Sequence, residues 1–297
     1  MRLVERGARL VARAILIGIS VSLLIWAVTD WSMADAGAYW QAALRLREGE
    51  PLYAPVIDVE SSEVYRYSPW FAWLTVPWTF LPMPVAAVLW SAILVAASVL
   101  AVVPLMQSRA WLLALFFGSI LIGISAHGNV QALLIAGLVW GLERRGGPLW
   151  IAVAASLKAV PILYSVVYLG RRQWGRFAVS VALTVVLVAP FLLYDLSDYV
   201  TSVGGAGLLI AWPPIYVAVV GLGLIATIRL ARGPYGWLAA STTVAMALPR
   251  FFLYDITFLL PGTLPAAPAT RTDWSWQPRQ ARATIPDQES TATGVSP

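Results

Sequence analysis

Residues 148–170, PLWIAVAASLKAVPILYSVVYLG, decide how the rest of the chain is threaded. Their length suits a single membrane span, which needs about 20 apolar residues. The flanks argue otherwise: Arg144 and Arg145 precede the segment, and Arg171, Arg172 and Arg176 follow it. Basic loops stay on the cytoplasmic side, so both ends belong on one face and the number of crossings between them is even. Pro161 lacks an amide donor and restricts the residue before it. The segment therefore reads as a hairpin of two short helices turning at Lys158-Ala159-Val160-Pro161. Lys158, the only lysine of the chain, then faces the outer side.

Working outward, 59% hydrophobic and 12% charged residues over 297, with a mean hydropathy of +0.74, lie far from the roughly 45–50% and 25% of soluble domains. An integral membrane protein is implied. Arg2, Arg6, Arg9 and Arg13 precede the apolar run Ala14–Val28, which places the N-terminus in the cytoplasm and the following loop outside. The N-terminal run lacks a clear small-residue cleavage site and reads as a retained span. Further crossings are expected at Pro84–Leu105, Trp111–Ser125, Val130–Leu142, Phe177–Leu193, Ile215–Leu230, Trp237–Leu248 and Phe251–Leu260. The fold class is all-α: a polytopic membrane protein of about ten helices, several too short to span fully, packed with tilted or re-entrant helices around a cavity. Both termini fall inside. One transmembrane domain covers residues 1–265, and residues 266–297 form a polar tail expected to be disordered.

The pI of 9.7 is accounted for by these cytoplasmic clusters, so no nucleic acid is expected as a partner. Many of the fifteen Trp lie near segment ends, as rings settled at headgroup level do. The absence of Cys excludes disulfides and thiolate chemistry. With a single His as well, no metal site and no cofactor are expected.

One long polar loop stands apart, Asp30–Pro82. It holds seven of the fifteen acidic residues (Asp30, Asp35, Glu48, Glu50, Asp58, Glu60, Glu63) among Tyr, Trp and Pro, and long structured loops are usually functional. From Ala34 to Leu46, Ala38, Ala42 and Leu46 recur at helical spacing beside Tyr39 and Ala43, giving an amphipathic surface helix with Asp35 in its first turn. Gly49 ends it. Tyr67-Ser68-Pro69 opens another helix, Pro69 suiting the first turn, and Trp70–Phe80 is short enough to be re-entrant or interfacial.

Several fragments in order then form a pattern. They are an Asp soon after the first span, Tyr39-Trp40-Gln41-Ala42-Ala43, Gly49-Glu50-Pro51-Leu52-Tyr53, Tyr65-Arg66-Tyr67-Ser68-Pro69, Leu81-Pro82, Gly128-Asn129-Val130-Gln131, Leu157-Lys158-Ala159-Val160-Pro161 and Tyr199-Val200-Thr201-Ser202-Val203. Their order over about the first 200 residues resembles glycosyltransferase family 87, the polyprenyl-phosphate-mannose-dependent mannosyltransferases of the C-type membrane superfamily. The resemblance implies transfer of a hexose, mannose above all, from a lipid-phosphate donor to a hydroxyl of a glycolipid or glycan acceptor. That transfer takes place in the outer leaflet of the cell membrane, with inversion and without metal. It also implies a C-terminal half shorter than is usual in the family.

The candidate residues follow. Asp35 is the candidate general base, with a helix cap as its structural alternative; Asp30 is the rival base, or a charge that ends a span. Lys158, an ionisable group in an apolar run, is a candidate for the donor phosphate or a snorkelling cation. His127, Asn129 and Gln131, at an outer turn, could hold phosphate and sugar hydroxyls or satisfy local backbone. Arg66 could meet the phosphate or pair with Glu63 or Asp58. Tyr39, with Tyr53, Tyr65, Tyr67 and Trp70, could stack on sugar or anchor at the interface. Arg250 and Asp255 are expected to form a bundle salt bridge. A transporter or non-catalytic partner of the same fold is the competing reading; short helices fit it, but no internal repeat is visible.

Overall fold

The computed structural model describes residues 2–53, 64–199 and 207–263. The tail from residue 266 and the side chains of Asp58, Glu60 and Glu63 lie outside the described residues. Every described element is helical: α1 (Arg2–Thr29), α2 (Ala34–Glu48), α3 (Pro69–Thr75), α4 (Met83–Gln107), α5 (Trp111–Ala126), α6 (Gln131–Gly141), α7 (Gly147–Lys158), α8 (Ser165–Gly170), α9 (Trp174–Val188), α10 (Leu208–Ala211), α11 (Pro213–Leu230), α12 (Gly236–Ala247) and α13 (Leu260–Thr263), with 3-10 turns at Val76–Phe80, Val160–Tyr164, Ala189–Leu193 and Leu253–Leu259.

Four of the expected crossings are long and apolar enough to cross a membrane: Leu10–Thr29, Met83–Gln107, Trp174–Leu193 and Pro213–Leu230. In the last of these only 6% of the residues are buried, so most of its apolar surface is left to lipid. Short helices lie between the long ones. The 11 residues of α6 and the 12 of α7 rise about 16–18 Å at 1.5 Å per residue, against roughly 30 Å of hydrocarbon. Their faces are covered: Leu134, Ile135 and Leu138 of α6 and Ile151 of α7 join Leu94, Leu121, Tyr164, Tyr168 and Phe258 in one core.

The 148–170 segment does turn back on itself. α7 stops at Lys158, Ala159 takes a left-handed φ of 56°, and the chain continues through Val160–Tyr164 into α8. Its two ends meet. The Tyr168 hydroxyl donates to the Leu142 carbonyl at 2.6 Å, close enough that a Cβ on Gly147 would sit 2.2 Å from that oxygen. Arg176 Nη2, from the start of α9, donates to the Leu142 and Arg144 carbonyls at 2.9 and 2.5 Å, its guanidinium 4.2 Å over the Tyr168 ring. Arg171 donates to both Glu143 oxygens at 3.0 and 2.9 Å and to the Ala231 carbonyl at 2.7 Å. The α6–α7, α8–α9 and α11–α12 turns are therefore tied into one polar knot. Arg171 Nη1 is shared between the two Glu143 oxygens while Nε serves the Ala231 carbonyl, in a pair that is largely withdrawn from solvent.

A chain without native Cys makes the threading directly testable. Single cysteines at Arg145 and Arg172, both exposed, should react with a membrane-impermeant maleimide from the same side, and a cysteine at Glu50 from the opposite side. Labelling of Arg145→Cys and Arg172→Cys from opposite faces would remove the hairpin.

Candidate active site

α2 is built on one apolar stripe, with Ala36, Ala38, Tyr39, Ala42 and Ala43 buried. It ends as the glycine signalled: Gly49 has φ 76° and donates back to Arg45 and Leu46, the left-handed cap that satisfies orphan carbonyls. Its start is unusual. Met33 occupies the N-cap with φ 54° and no side chain caps the helix. The orphan amides of a first turn need partners, and they find them on the α5–α6 turn: Met33 N–H donates to the Ala126 carbonyl at 3.0 Å and Asp35 N–H to the His127 carbonyl at 2.8 Å. Asp35 is therefore not the cap. Gly128, in the same turn, has φ +80°, and a Cβ there would lie 2.6 Å from the Ala36 Cβ, so a glycine is required by both backbone and space. Trp90 Nε1 donates to the Gly128 carbonyl at 2.7 Å and pins the turn from α4.

The docked turn holds the Asp35 carboxylate at the wall of a cavity of about 330 Å³, within the range of small-molecule sites. Arg66, Tyr67, His127, Arg250 and Tyr254 line it with Asp35. Asp35 Oδ2 accepts a hydrogen bond from Asn129 Nδ2 at 2.9 Å. Burial raises the Asp35 pKa above its ordinary 3.8, against the opposing pull of the Asn129 hydrogen bond and the nearby charges of Lys158, His127 and Arg66. His127 is oriented by Ser32, whose hydroxyl lies 2.8 Å from Nδ1, and by the Trp26 ring at 4.9 Å. The cavity thus joins one carboxylate to two guanidiniums and an imidazole. Among the described residues, no three His, Asp or Glu side chains come together as a metal site would need.

Lys158 lies beside this cavity rather than on its wall. Its Nζ is 3.5 Å from Asp255 Oδ1 and 4.5 Å over the Tyr254 ring, and the lysine and aspartate side chains are 13% and 4% exposed. The expected Arg250–Asp255 bridge is thus replaced: Asp255 faces Lys158, its other oxygen accepting the Phe252 amide at 3.0 Å, and Arg250 turns to the cavity. Five residues of sequence separation say little where the chain is not helical, and Pro249 to Phe252 is not.

The other candidates separate. Gln131 is fully buried, its Nε2 donating to Thr257 Oγ1 at 3.1 Å; it joins α6 to the 253–259 turn and does not line the cavity. Tyr39 is also buried, its hydroxyl accepting the Val130 amide at 3.3 Å, and Tyr53 and Tyr65 pack in the core with it. Trp70 Nε1 donates to Ser156 at 3.1 Å, binding α3 to α7. Asp30 is exposed and off the cavity. Of the candidate aromatics, Tyr67 lines the cavity. Arg250 and Tyr254 were missed as cavity residues; their only sequence signal was a basic and an aromatic residue flanking a short apolar segment.

A family model for glycosyltransferase family 87 matches residues 65–248. The chain belongs to glycosyltransferase family 87. It is accordingly a membrane glycosyltransferase by family. The matched stretch contains Arg66, Tyr67, His127, Asn129 and Lys158; Asp35 precedes it, and Arg250, Tyr254 and Asp255 follow it. No curated protein and no solved structure matches this member of family 87.

The buried Lys158–Asp255 pair sets a stability test. Asp255→Asn keeps the acceptor for the Phe252 amide but leaves the lysine uncompensated, and breaking a buried pair costs about 3–5 kcal/mol. Unfolding followed in detergent should show that loss, and Lys158→Met in the same chain should restore much of it. A double variant as unstable as Asp255→Asn alone would show that the two charges do not depend on each other.

Proposed function

We propose that this family 87 member transfers a hexose, mannose being the expected sugar, from a polyprenyl-phosphate donor to a hydroxyl of a glycolipid or glycan acceptor on the outer face of the membrane, with inversion and without metal. The observation that carries the reading is the pairing, around one cavity, of a half-buried carboxylate with two guanidinium groups. Asp35 takes the proton of the acceptor hydroxyl. The acceptor oxygen forms its bond to the anomeric carbon as the bond from that carbon to the phosphate oxygen breaks. The electron pair leaves with the phosphate, and polyprenyl phosphate is released. A single displacement places the new bond opposite the old one, hence inversion.

Arg66 and Arg250 line the cavity and supply fixed positive charge where negative charge develops, which is where a preorganised site gains most, and His127 beside them offers a ring nitrogen as a hydrogen-bonding group. Lys158, held behind Tyr254, adds its field without needing to touch the phosphate. Arg presents a planar fork suited to phosphate oxygens. The polyprenyl tail is expected to lie along the apolar outer faces of the long helices.

Asp35→Asn separates chemistry from structure, since the side chain is not the helix cap. Transfer from purified polyprenyl-phospho-mannose should fall by about 10²–10⁴-fold, the usual worth of a general base, with donor binding retained. In the parent, activity should be lost as pH falls, because the base must be ionised. The midpoint should lie above 3.8, since burial raises the Asp35 pKa. Transfer by Asp35→Asn at close to the parent rate would end the assignment. A parent chain that binds the donor yet transfers to no acceptor would favour the non-catalytic or transporter reading.

A further inference from the structure

Asn129 was a candidate sugar contact, yet its hydrogen-bonding capacity is already committed. A primary amide offers two donors and one acceptor group. Here Nδ2 donates to Asp35 Oδ2 at 2.9 Å and lies 3.5 Å from the Tyr67 hydroxyl, while Oδ1 accepts the Gln131 amide at 2.9 Å. The side chain is 4% exposed. Reversing the amide would aim Oδ1 at a carboxylate and Nδ2 at an N–H, so the orientation is dictated by its neighbours.

We propose that Asn129 is a positioning residue: its amide fixes the rotamer of Asp35 by holding Oδ2, and directs Oδ1 to the acceptor hydroxyl. The inference rests on Asp35 acting as base. The anchoring is rigid because Oδ1 of Asn129 accepts the Gln131 amide at the start of α6, and the same turn receives the Met33 and Asp35 amides through Ala126 and His127. One side chain thus ties the carboxylate to the start of α6, across a contact that Gly128 makes as close as backbones allow. The hydrogen bond also favours the ionised carboxylate against burial, so the residue acts on both geometry and charge.

Asn129→Ser tests this, because Ser still serves the start of a helix but is too short to reach Asp35. Two readouts are taken. An infrared titration of the Asp35 carboxyl, isolated by subtracting the spectra of Asp35→Asn, should show protonation at higher pH in Asn129→Ser than in the parent. In the transfer assay, kcat should fall on the order of 10–100-fold, the scale of a small misplacement, with the KM for donor little changed and the acid limb moved to higher pH. Should Asn129→Ser fail to fold, Asn129→Ala, which removes the amide without adding a charge, should show the same displaced acid limb. Raised KM with unchanged kcat and an unmoved Asp35 titration would make Asn129 a substrate contact and overturn the proposal. A titration that moves as expected in a protein whose parent transfers no sugar would leave the positioning intact and refute the proposed function instead.

Discussion

Two backbone hydrogen bonds, from Met33 and Asp35 to the carbonyls of Ala126 and His127, are what the site depends on. A helix that begins without a side-chain cap has amides in need of acceptors, and a tight turn has carbonyls in need of donors. Each element resolves the other's deficit. The consequence is positional: α2 can only be satisfied when the α5–α6 turn is docked against it, and the same docking brings Asn129 onto Asp35 and His127 beside Ser32. Side-chain chemistry here is fixed by backbone need.

The short helices extend that logic. α6 and α7 are about half as long as a membrane is thick, and polar groups gather at both of their ends. Both ends answer with partners from distant helices. At one end Glu143, Arg171 and Arg176 knot three turns together; at the other, Lys158 meets Asp255 under Tyr254. The cavity lies beside the second pair, so its electropositive wall is supported by a charge already balanced, and Arg66 and Arg250 complete that wall. As a family 87 glycosyltransferase the chain needs somewhere to receive a sugar donor, and this cavity joins a carboxylate to cations.

Much of this was legible in the sequence, and the reasons differ by residue. Arginine clusters on both sides of Pro148–Gly170, with Pro161 inside, forced the hairpin; Gly49 and the spacing of Ala38 and Ala42 bounded α2. Asp35 stood out as an acid just after a span. Partnerships across long separations were not legible: Lys158 and Asp255 lie 97 residues apart, and local spacing pointed to Arg250 instead. Gln131 shows how fine the distinction is, since two residues beyond Asn129 the side chain points to Thr257 and away from the cavity. A turn's polar residues look alike in sequence; which way each points is set by the helix that follows. Asp35 itself lies outside the stretch matched by the family model, so its place in the site rests on the docking just described.

The central claim is that the cavity bounded by Asp35, Arg66, Arg250 and His127 receives the sugar and phosphate of the donor. It is tested most directly by determining the structure of the full chain with a non-transferable phosphonate analogue of polyprenyl-phospho-mannose. The account predicts the phosphonate within contact of Arg66 and Arg250, and the anomeric carbon on the Asp35 side of the cavity. An analogue bound elsewhere, or with its phosphonate against the Glu143–Arg171 knot, would contradict it.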